Sequence, residues 1–206
     1  MPTPHRGKLT SPVRTLATNR KIFAALALAV VLSVTAAAQM PAGASTPTSP
    51  KSLAKDLLAS SYAKKAGFAK VADKVTVTSK TGVKSCPDGA QEAFESASGQ
   101  TGLLSEALAC TTSKGAAALL SSARSGNSAT SATPPKRLGS SAFERSSGGS
   151  TYAIYWQRGT IAEMVALNTN VPASSSSSTT VATPPITPAQ QKVLSSAAVE
   201  QDALLR

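Results

Sequence analysis

The sequence predicts an α+β domain in which helices pack on one face of a small antiparallel sheet. Residues 151–168 concentrate β-branched and aromatic side chains, which are typical of strands. Residues 187–206 carry an apolar stripe at helical spacing, which needs a surface to pack against. Cys86 and Cys110, the only cysteines among 206 residues, supply one disulfide.

Residues 151–168 are predicted to form a β-hairpin that anchors the fold. Gly159 can take the positive φ that a tight turn requires. Pairing Trp156 with Ile161 gives two fairly apolar faces, so either one face is a binding surface or the register is displaced by one residue. One face then holds Tyr152, Ile154, Glu163 and Val165, and the other holds Ala153, Tyr155, Ala162 and Met164.

The remaining elements follow from caps, turns and periodicity. In the last helix, Thr187 is the cap, Pro188 takes the first position and Gln190 completes a capping box. An earlier helix starts at Pro50 and ends at Gly67. Residues 91–98 fit a helix or a strand. The other predictions are strands at 71–78, 103–110 and 138–143 and an Ala-rich helix at 113–124.

The amino-terminal residues predict export. A basic segment precedes an uncharged apolar run at residues 22–38, and the run ends in small residues before a possible cut after Ala38, which is typical of a signal peptide. A retained membrane anchor is the alternative, because the run reaches the lower limit for a spanning helix. Both place the rest of the chain outside, secreted or anchored to the outer face of the cytoplasmic membrane. The predicted organisation is a signal or anchor at 1–38, a spacer at 39–50 and an exported domain at 51–206, with a disordered Ser/Pro-rich loop at 171–186.

The formal net charge is +11, and the amino-terminal segment and the exported part must be counted separately before partners are inferred from it. Five of the 21 Lys and Arg residues precede the apolar run and belong to targeting. The other bases are scattered rather than interleaved with aromatic residues, so nucleic acid is not expected. A mildly basic exported domain instead suggests an anionic cell-wall polymer or another envelope protein, with membrane contact only through residues 22–38.

Pairing of Cys86 with Cys110 is expected in an oxidising compartment. The bridge closes a loop of about 25 residues, which corresponds to about 3.5 kcal/mol on the chain-entropy model. A metal site is the weaker alternative, because no histidine lies near these cysteines. The sequence predicts no metal and no cofactor.

Catalytic chemistry is restricted by the position of the only histidine, His5, which precedes the apolar run. The exported part therefore has no imidazole for Ser-His-Asp or Cys-His catalysis. No complete catalytic motif is present, and we expect a non-catalytic binding or structural module. The alternative is a carboxylate-dependent glycan hydrolase, which needs two acids in one cleft. Its candidate acids are Asp88, Glu92, Glu95 and Glu163.

A candidate binding surface lies on the hairpin. Trp156 and Tyr152 can stack on a sugar ring, although core packing is the alternative use of both. Arg158 sits at the turn, and Glu163 lies among apolar residues. A further hypothesis is that the last helix docks on another chain through Leu204 and Leu205.

Short motifs give the chain a resemblance to a known group of proteins. Cys86-Pro87 is followed by Leu138-Gly139, by a hairpin around Arg158-Gly159 and by a terminal helix rich in Ala, Gln and Leu. This order resembles small exported actinobacterial envelope proteins of unknown function, and more remotely the extracellular sensor domains of actinobacterial serine/threonine kinases. The resemblance covers residues 85–206 and implies a small α+β domain without catalytic residues. It departs at Ser140-Ser141, where those families often carry acids, and at Thr160, where they often carry Asn.

Overall fold

The structure is a computed structural model that describes residues 50–78, 81–125, 134–147, 150–169 and 185–204. The predicted signal or anchor at 1–38 and most of the Ser/Pro-rich loop at 171–186 lie outside the described residues. Within the described part of the chain, no helix is both long and apolar enough to cross a membrane. The described elements are α1 Pro50–Leu53, α2 Ser60–Lys65, β1 Lys70–Thr78, β2 Asp88–Glu95, β3 Thr101–Ala109, α3 Ser113–Ser125, a 3-10 turn Lys136–Leu138, β4 Phe143–Ser147, β5 Thr151–Arg158, β6 Ile161–Thr169 and α4 Pro188–Leu204.

All strands belong to one antiparallel sheet with the order β1-β2-β3-β6-β5-β4. Strands β1 to β3 form one meander and β4 to β6 form another. The two meanders join where β3 pairs with β6, and α3 connects them along the chain. This pairing removes one exposed edge from each meander and leaves only β1 and β4 as edges. The predicted α+β class with an antiparallel sheet is therefore confirmed.

The β5–β6 hairpin turns where it was predicted to turn, but with a different register. Arg158 pairs with Ile161, which leaves Gly159 and Thr160 as the turn, and Gly159 takes a φ of 55°. Trp156 consequently pairs with Glu163, so the predicted partner Ile161 is wrong by two residues. A displacement of two residues keeps every side chain on its predicted face, because strand side chains alternate with a period of two.

Both hairpin faces are apolar because both are covered. Tyr152, Ile154 and Trp156 pack beneath α4, whose Leu194 and Ala197 are fully buried; we term this side of the sheet the α4 face. The opposite side, the α3 face, packs against α3. Its core includes Ala153, Tyr155, Met164, Leu119 and Leu120. Helices thus cover both faces of the sheet, whereas the sequence predicted helices on one face.

The capping prediction for α4 is confirmed in detail. The backbone N–H of Gln190 donates to Thr187 Oγ1 at 3.3 Å, and the backbone N–H of Thr187 donates to Gln190 Oε1 at 2.8 Å. These two bonds form the capping box. The apolar stripe of α4 packs on the chain's own sheet through buried Leu194, so that stripe is not free for another chain. Leu204, one of the two proposed docking residues, is 42% exposed, and Leu205 lies outside the described residues.

Three local predictions need correction or completion. The single helix predicted from Pro50 is two short helices, because Leu57 and Leu58 turn inward between α1 and α2 to join the core. Of the ambiguous residues 91–98, residues 91–95 belong to strand β2 and residues 96–98 lie in the turn that follows it. The strand predicted at 138–143 is wrong, because Leu138 ends a 3-10 turn and Gly139 takes a φ of 88°, which breaks extended structure before β4 begins.

Cys86 and Cys110 form the predicted disulfide, with an S–S distance of 1.98 Å. Cys86 lies in the loop before β2, and Cys110 follows β3 directly. The bridge therefore clamps the end of the β2–β3 ladder, next to the pair Asp88 and Ala109. Both cysteines are buried against the α3 face.

Candidate functional site

The four residues of the predicted binding surface share one face, but they do not form an open surface. Trp156, Glu163 and Tyr152 are 0%, 1% and 5% exposed and lie beneath α4, with the Tyr152 hydroxyl donating to the carboxylate of Glu144. Arg158 is partly exposed at the hairpin turn. The burial of Trp156 and Tyr152 corresponds to core packing, the alternative that the sequence left open.

A buried hydrogen-bond network surrounds Glu163. Gln201 of α4 is fully buried, and its Nε2 donates to Glu163 Oε2 at 3.1 Å and to the backbone oxygen of Glu106 at 3.3 Å. Ser105 Oγ donates to Gln201 Oε1 at 2.7 Å and accepts the backbone N–H of Leu58 at 2.9 Å. The network thus ties α4, two central strands and the amino-terminal segment together through one amide side chain.

Glu163 is uncharged near neutral pH. Burial is the main cause that raises the pKa of its carboxyl group to about 9; the negative charges of Asp202 and Asp56 also raise it, and Gln201 and Arg158 lower it. Among the described residues, Glu163 Oε1 and Trp156 Nε1 have no hydrogen-bond partner. A carboxyl group in this position can donate a hydrogen bond inside the protein, but it is too deeply buried to meet a polymer outside.

Arg158 finds a partner that the sequence did not indicate. Its guanidinium binds both carboxylate oxygens of Asp202, with Nη2 to Oδ2 at 2.6 Å. Asp202 is 2% exposed, whereas the Arg158 side chain is 35% exposed. Nη2 also donates to the backbone oxygen of Arg137 at 3.1 Å. Arg158 therefore links the hairpin turn, the carboxyl end of α4 and the 3-10 turn.

The carboxylates proposed for a hydrolase lie on two strands and on both faces of the sheet. Asp88, Glu92 and Glu95 all belong to strand β2 and not to a helix. Alternation along the strand places Asp88 and Glu92 on the α4 face and Glu95 on the α3 face. Glu163 lies on β6, separated from β2 by β3, and is covered by α4. The described residues also contain no group of three potential metal ligands.

A second buried acid was missed by sequence reasoning. Glu106 is 8% exposed on the α3 face, in register with Met164 and Gln91. Burial raises the pKa of the Glu106 carboxyl group from an ordinary 4.5 to about 7. Its negative charge contributes to the raised pKa of Tyr155, about 12, for which burial is the main cause.

The acids and the bases of the described residues are distributed differently between the core and the surface. Of the acids whose burial the structure describes, Glu106, Glu144, Glu163 and Asp202 are buried, and only Glu200 is exposed. Nine bases are exposed among the described side chains, whereas Asp56, Asp88, Glu92 and Glu95 are half-buried, so the described surface is basic. The exposed bases are Lys55, Lys64, Lys65, Lys84, Lys114, Arg124, Lys136, Arg137 and Lys192.

Comparison with known proteins adds no assignment. No protein-family model matches the chain, and no curated protein matches it. The resemblance to exported actinobacterial envelope proteins therefore stays a prediction.

Proposed function

We propose that the chain is a non-catalytic exported module that binds an anionic polymer of the bacterial cell envelope. The observation that carries the proposal is the separation of charge, with nine exposed bases against one exposed acid in the described part of the chain. Such a surface attracts polyanions and repels cationic partners. The export expected from residues 1–38 supplies the compartment.

A binding role agrees better with the buried acids than a hydrolytic role does. General acid and nucleophile must both reach the scissile bond of a glycan. Glu163 has the most strongly raised pKa among the hydrolase candidates, yet α4 covers it. Glu92 has a pKa raised by burial, but Glu95 points to the other face of the sheet. The envelope hydrolase is therefore the weaker proposal.

The test uses full-length protein recovered from producing cells in a non-ionic detergent. Isolated cell walls are mixed with the protein before and after extraction with cold hydrofluoric acid, which cleaves phosphodiester linkages. We expect co-sedimentation with untreated walls at low salt, with loss of binding both at high salt and after extraction. Absence of binding at low salt, or binding that neither treatment changes, would contradict the proposal.

The same samples test the hydrolase. Soluble reducing sugars released from the walls are measured over time, with the Glu92→Gln variant as the matched control. We expect no release above the level without protein. Release that disappears in the Glu92→Gln variant would replace the binding proposal with a hydrolytic one.

A further inference from the structure

We infer that the polyanion is bound at one end of the sheet, around which five exposed bases from four separate segments lie. This inference rests on the proposed function and assigns it a surface. We term this surface the basic end. It consists of Lys55, Lys84, Lys114, Lys136 and Arg137, all of them exposed.

Strand register shows that these segments lie at the same end. Thr78 pairs with Gly89, Asp88 with Ala109, Ala109 with Ile161, and Ile161 with Arg158. The β1–β2 loop, the β3–α3 connection and the β5–β6 turn therefore leave the sheet side by side. Lys84 lies in the first of these segments, and Lys114 lies at the start of α3, after the second.

The two chain segments that carry Lys84 and Lys114 are held beside each other by covalent and packing contacts. Cys86–Cys110 joins their two segments, and the backbone N–H of Thr111 donates to the backbone oxygen of Ser85 at 2.9 Å. A Cβ added at Gly115 would approach Ser85 Cβ to 3.3 Å, so the start of α3 lies directly against the loop of Lys84. The disulfide thus fixes the position of two bases in addition to closing a chain loop.

Lys136 and Arg137 are placed by the ion pair of Arg158. Arg158 Nη2 donates to the backbone oxygen of Arg137, and the same guanidinium is bound to buried Asp202. Leu138, which follows them, is 1% exposed in the core and holds the 3-10 turn from its other side. These two exposed side chains therefore project from a fixed backbone.

Lys55 completes the basic end from the α4 face. Leu53 and Leu57, which flank it in sequence, pack with Ala90, Ala107 and Ala109 near the ends of β2 and β3. Three acids lie at this end: Asp202 is buried and bound to Arg158, whereas Asp56 and Asp88 are half-buried. Burial raises the pKa of Asp56, and the charge of Lys55 lowers it.

The arrangement fits a repeating phosphate polymer better than a small anion. The bases come from separate segments around the end of the sheet, so they do not converge on a single point. A polymer with many phosphates can contact several of them at once and release counterions at each contact. Arg137 can bind a phosphate through two N–H groups, whereas the lysines act as point charges.

The experiment compares two double variants that remove the same charge from opposite ends. Lys84→Gln with Lys114→Gln lies at the basic end. The matched control is Lys64→Gln with Lys65→Gln, on α2, whose Ala63 packs with Phe94 and Leu103 toward the other end of the sheet. All four lysines are exposed, so unfolding midpoints are expected to agree and serve as the folding check.

Binding of full-length protein in non-ionic detergent to long-chain inorganic polyphosphate is measured at several salt concentrations. We expect the basic-end variant to lose about tenfold in affinity at low salt and to show a salt slope smaller by about 1 to 2, as two lost phosphate contacts require. The control is expected to lose no more than about threefold, as a general loss of charge predicts.

The outcomes separate this inference from the proposed function. Equal losses in both double variants, with walls still bound, would overturn the basic end and leave the proposed function intact. Failure of unaltered protein to bind either walls or polyphosphate would overturn both. A third arm uses phosphatidylglycerol and phosphatidylcholine vesicles. If the basic-end variant weakens anionic vesicle binding while polyphosphate binding is unchanged, the partner is a lipid surface and the polymer inference is wrong.

Discussion

Trp156 and Glu163 face each other across the β5–β6 hairpin, and each keeps one buried polar atom without a hydrogen-bond partner among the described residues. One atom is a donor, Trp156 Nε1, and the other is a carboxyl oxygen, Glu163 Oε1. A buried polar atom without a partner is costly to stability. The centre of this core is therefore stabilised mainly by apolar packing, and the burial of Glu163 lowers the stability of the folded state.

The first prediction is that Glu163→Gln stabilises the protein at neutral and alkaline pH. The pKa of Glu163 is raised from an ordinary 4.5 to about 9, so the folded state holds its proton more tightly than the unfolded state does. This acid therefore contributes most stability below pH 4.5, and its contribution falls as the pH rises from 4.5 to 9. Gln cannot ionise, so its side chain adds no such pH dependence. Urea unfolding at pH 5, 7 and 9 is expected to give a higher free energy of unfolding for the variant than for the unaltered protein, by a difference that grows with pH to several kcal/mol.

The control for this prediction is Glu200→Gln, on the exposed side of α4. It is expected to change the free energy of unfolding by less than about 0.5 kcal/mol at every pH. An advantage of Glu163→Gln that is equal at pH 5 and pH 9 would show that burial does not control the ionisation of Glu163.

The second prediction separates Glu106 from Glu163 by its pH range. The pKa of Glu106 is raised from 4.5 to about 7. Its ionisation therefore lowers the free energy of unfolding as the pH rises from 4.5 to 7, and this effect is constant above pH 7. Glu106→Gln is expected to gain up to about 3 kcal/mol by pH 7.5 and nothing more by pH 9. Unfolding free energies measured at half-unit steps of pH give the two ranges. A gain that continues to grow above pH 8 would contradict the assignment.

The third prediction concerns Gln201, the centre of the buried network. Gln201→Ala removes the acceptor of Ser105 Oγ and the donor to Glu163 Oε2, and it leaves a cavity beneath α4. We expect a loss of about 3 kcal/mol in the free energy of unfolding. Hydrogen exchange of the α4 amides, measured beside Glu200→Ala as the surface control, is expected to rise selectively in the Gln201 variant. An exchange rate equal to that of the control would show that the network does not hold α4.

Local signals in the sequence predicted much of the fold. The cap formed by Thr187 and Gln190 and the turn at Gly159 each depend on residues that are close in sequence. Both predictions are therefore confirmed. The disulfide was predictable because only two cysteines exist. The hairpin register was wrong by two residues because alternation fixes the face of each side chain but not the pairing partner.

The candidate site was predicted less well because it depends on contacts between distant residues. Glu163 is an acid in an alternating strand, and such a residue usually faces solvent; only the packing of α4, with Gln201, buries it. Arg158 and Asp202 are 44 residues apart in sequence, and no local pattern pairs them. The basic end depends on the β3–β6 pairing, which joins the two meanders and has no signature in either strand alone.

The fourth prediction tests the ion pair of Arg158 and Asp202 by a double-mutant cycle. Arg158→Gln removes the guanidinium that binds the 2% exposed Asp202 carboxylate, and we expect a loss of about 2 kcal/mol in the free energy of unfolding, reduced by the partial exposure of Arg158. Asp202→Asn added to Arg158→Gln is expected to recover at least half of that loss. Additive losses in the double variant would contradict a direct interaction. Circular dichroism is the folding check, and each variant is expected to keep its helix content.

The fifth prediction is that the disulfide has two separable effects. Cys86→Ala with Cys110→Ala removes a link between residues 24 apart, and we expect a loss of about 3 kcal/mol in the free energy of unfolding. At temperatures where this variant is still folded, the loops of Lys84 and Lys114 are no longer joined covalently, so affinity for polyphosphate is also expected to fall by about threefold. The Gln201→Ala variant is the matched control, because it is expected to lose similar stability far from those loops. If both variants lose the same affinity, the effect reflects global stability; a selective loss in the cysteine variant shows that the bridge positions the bases.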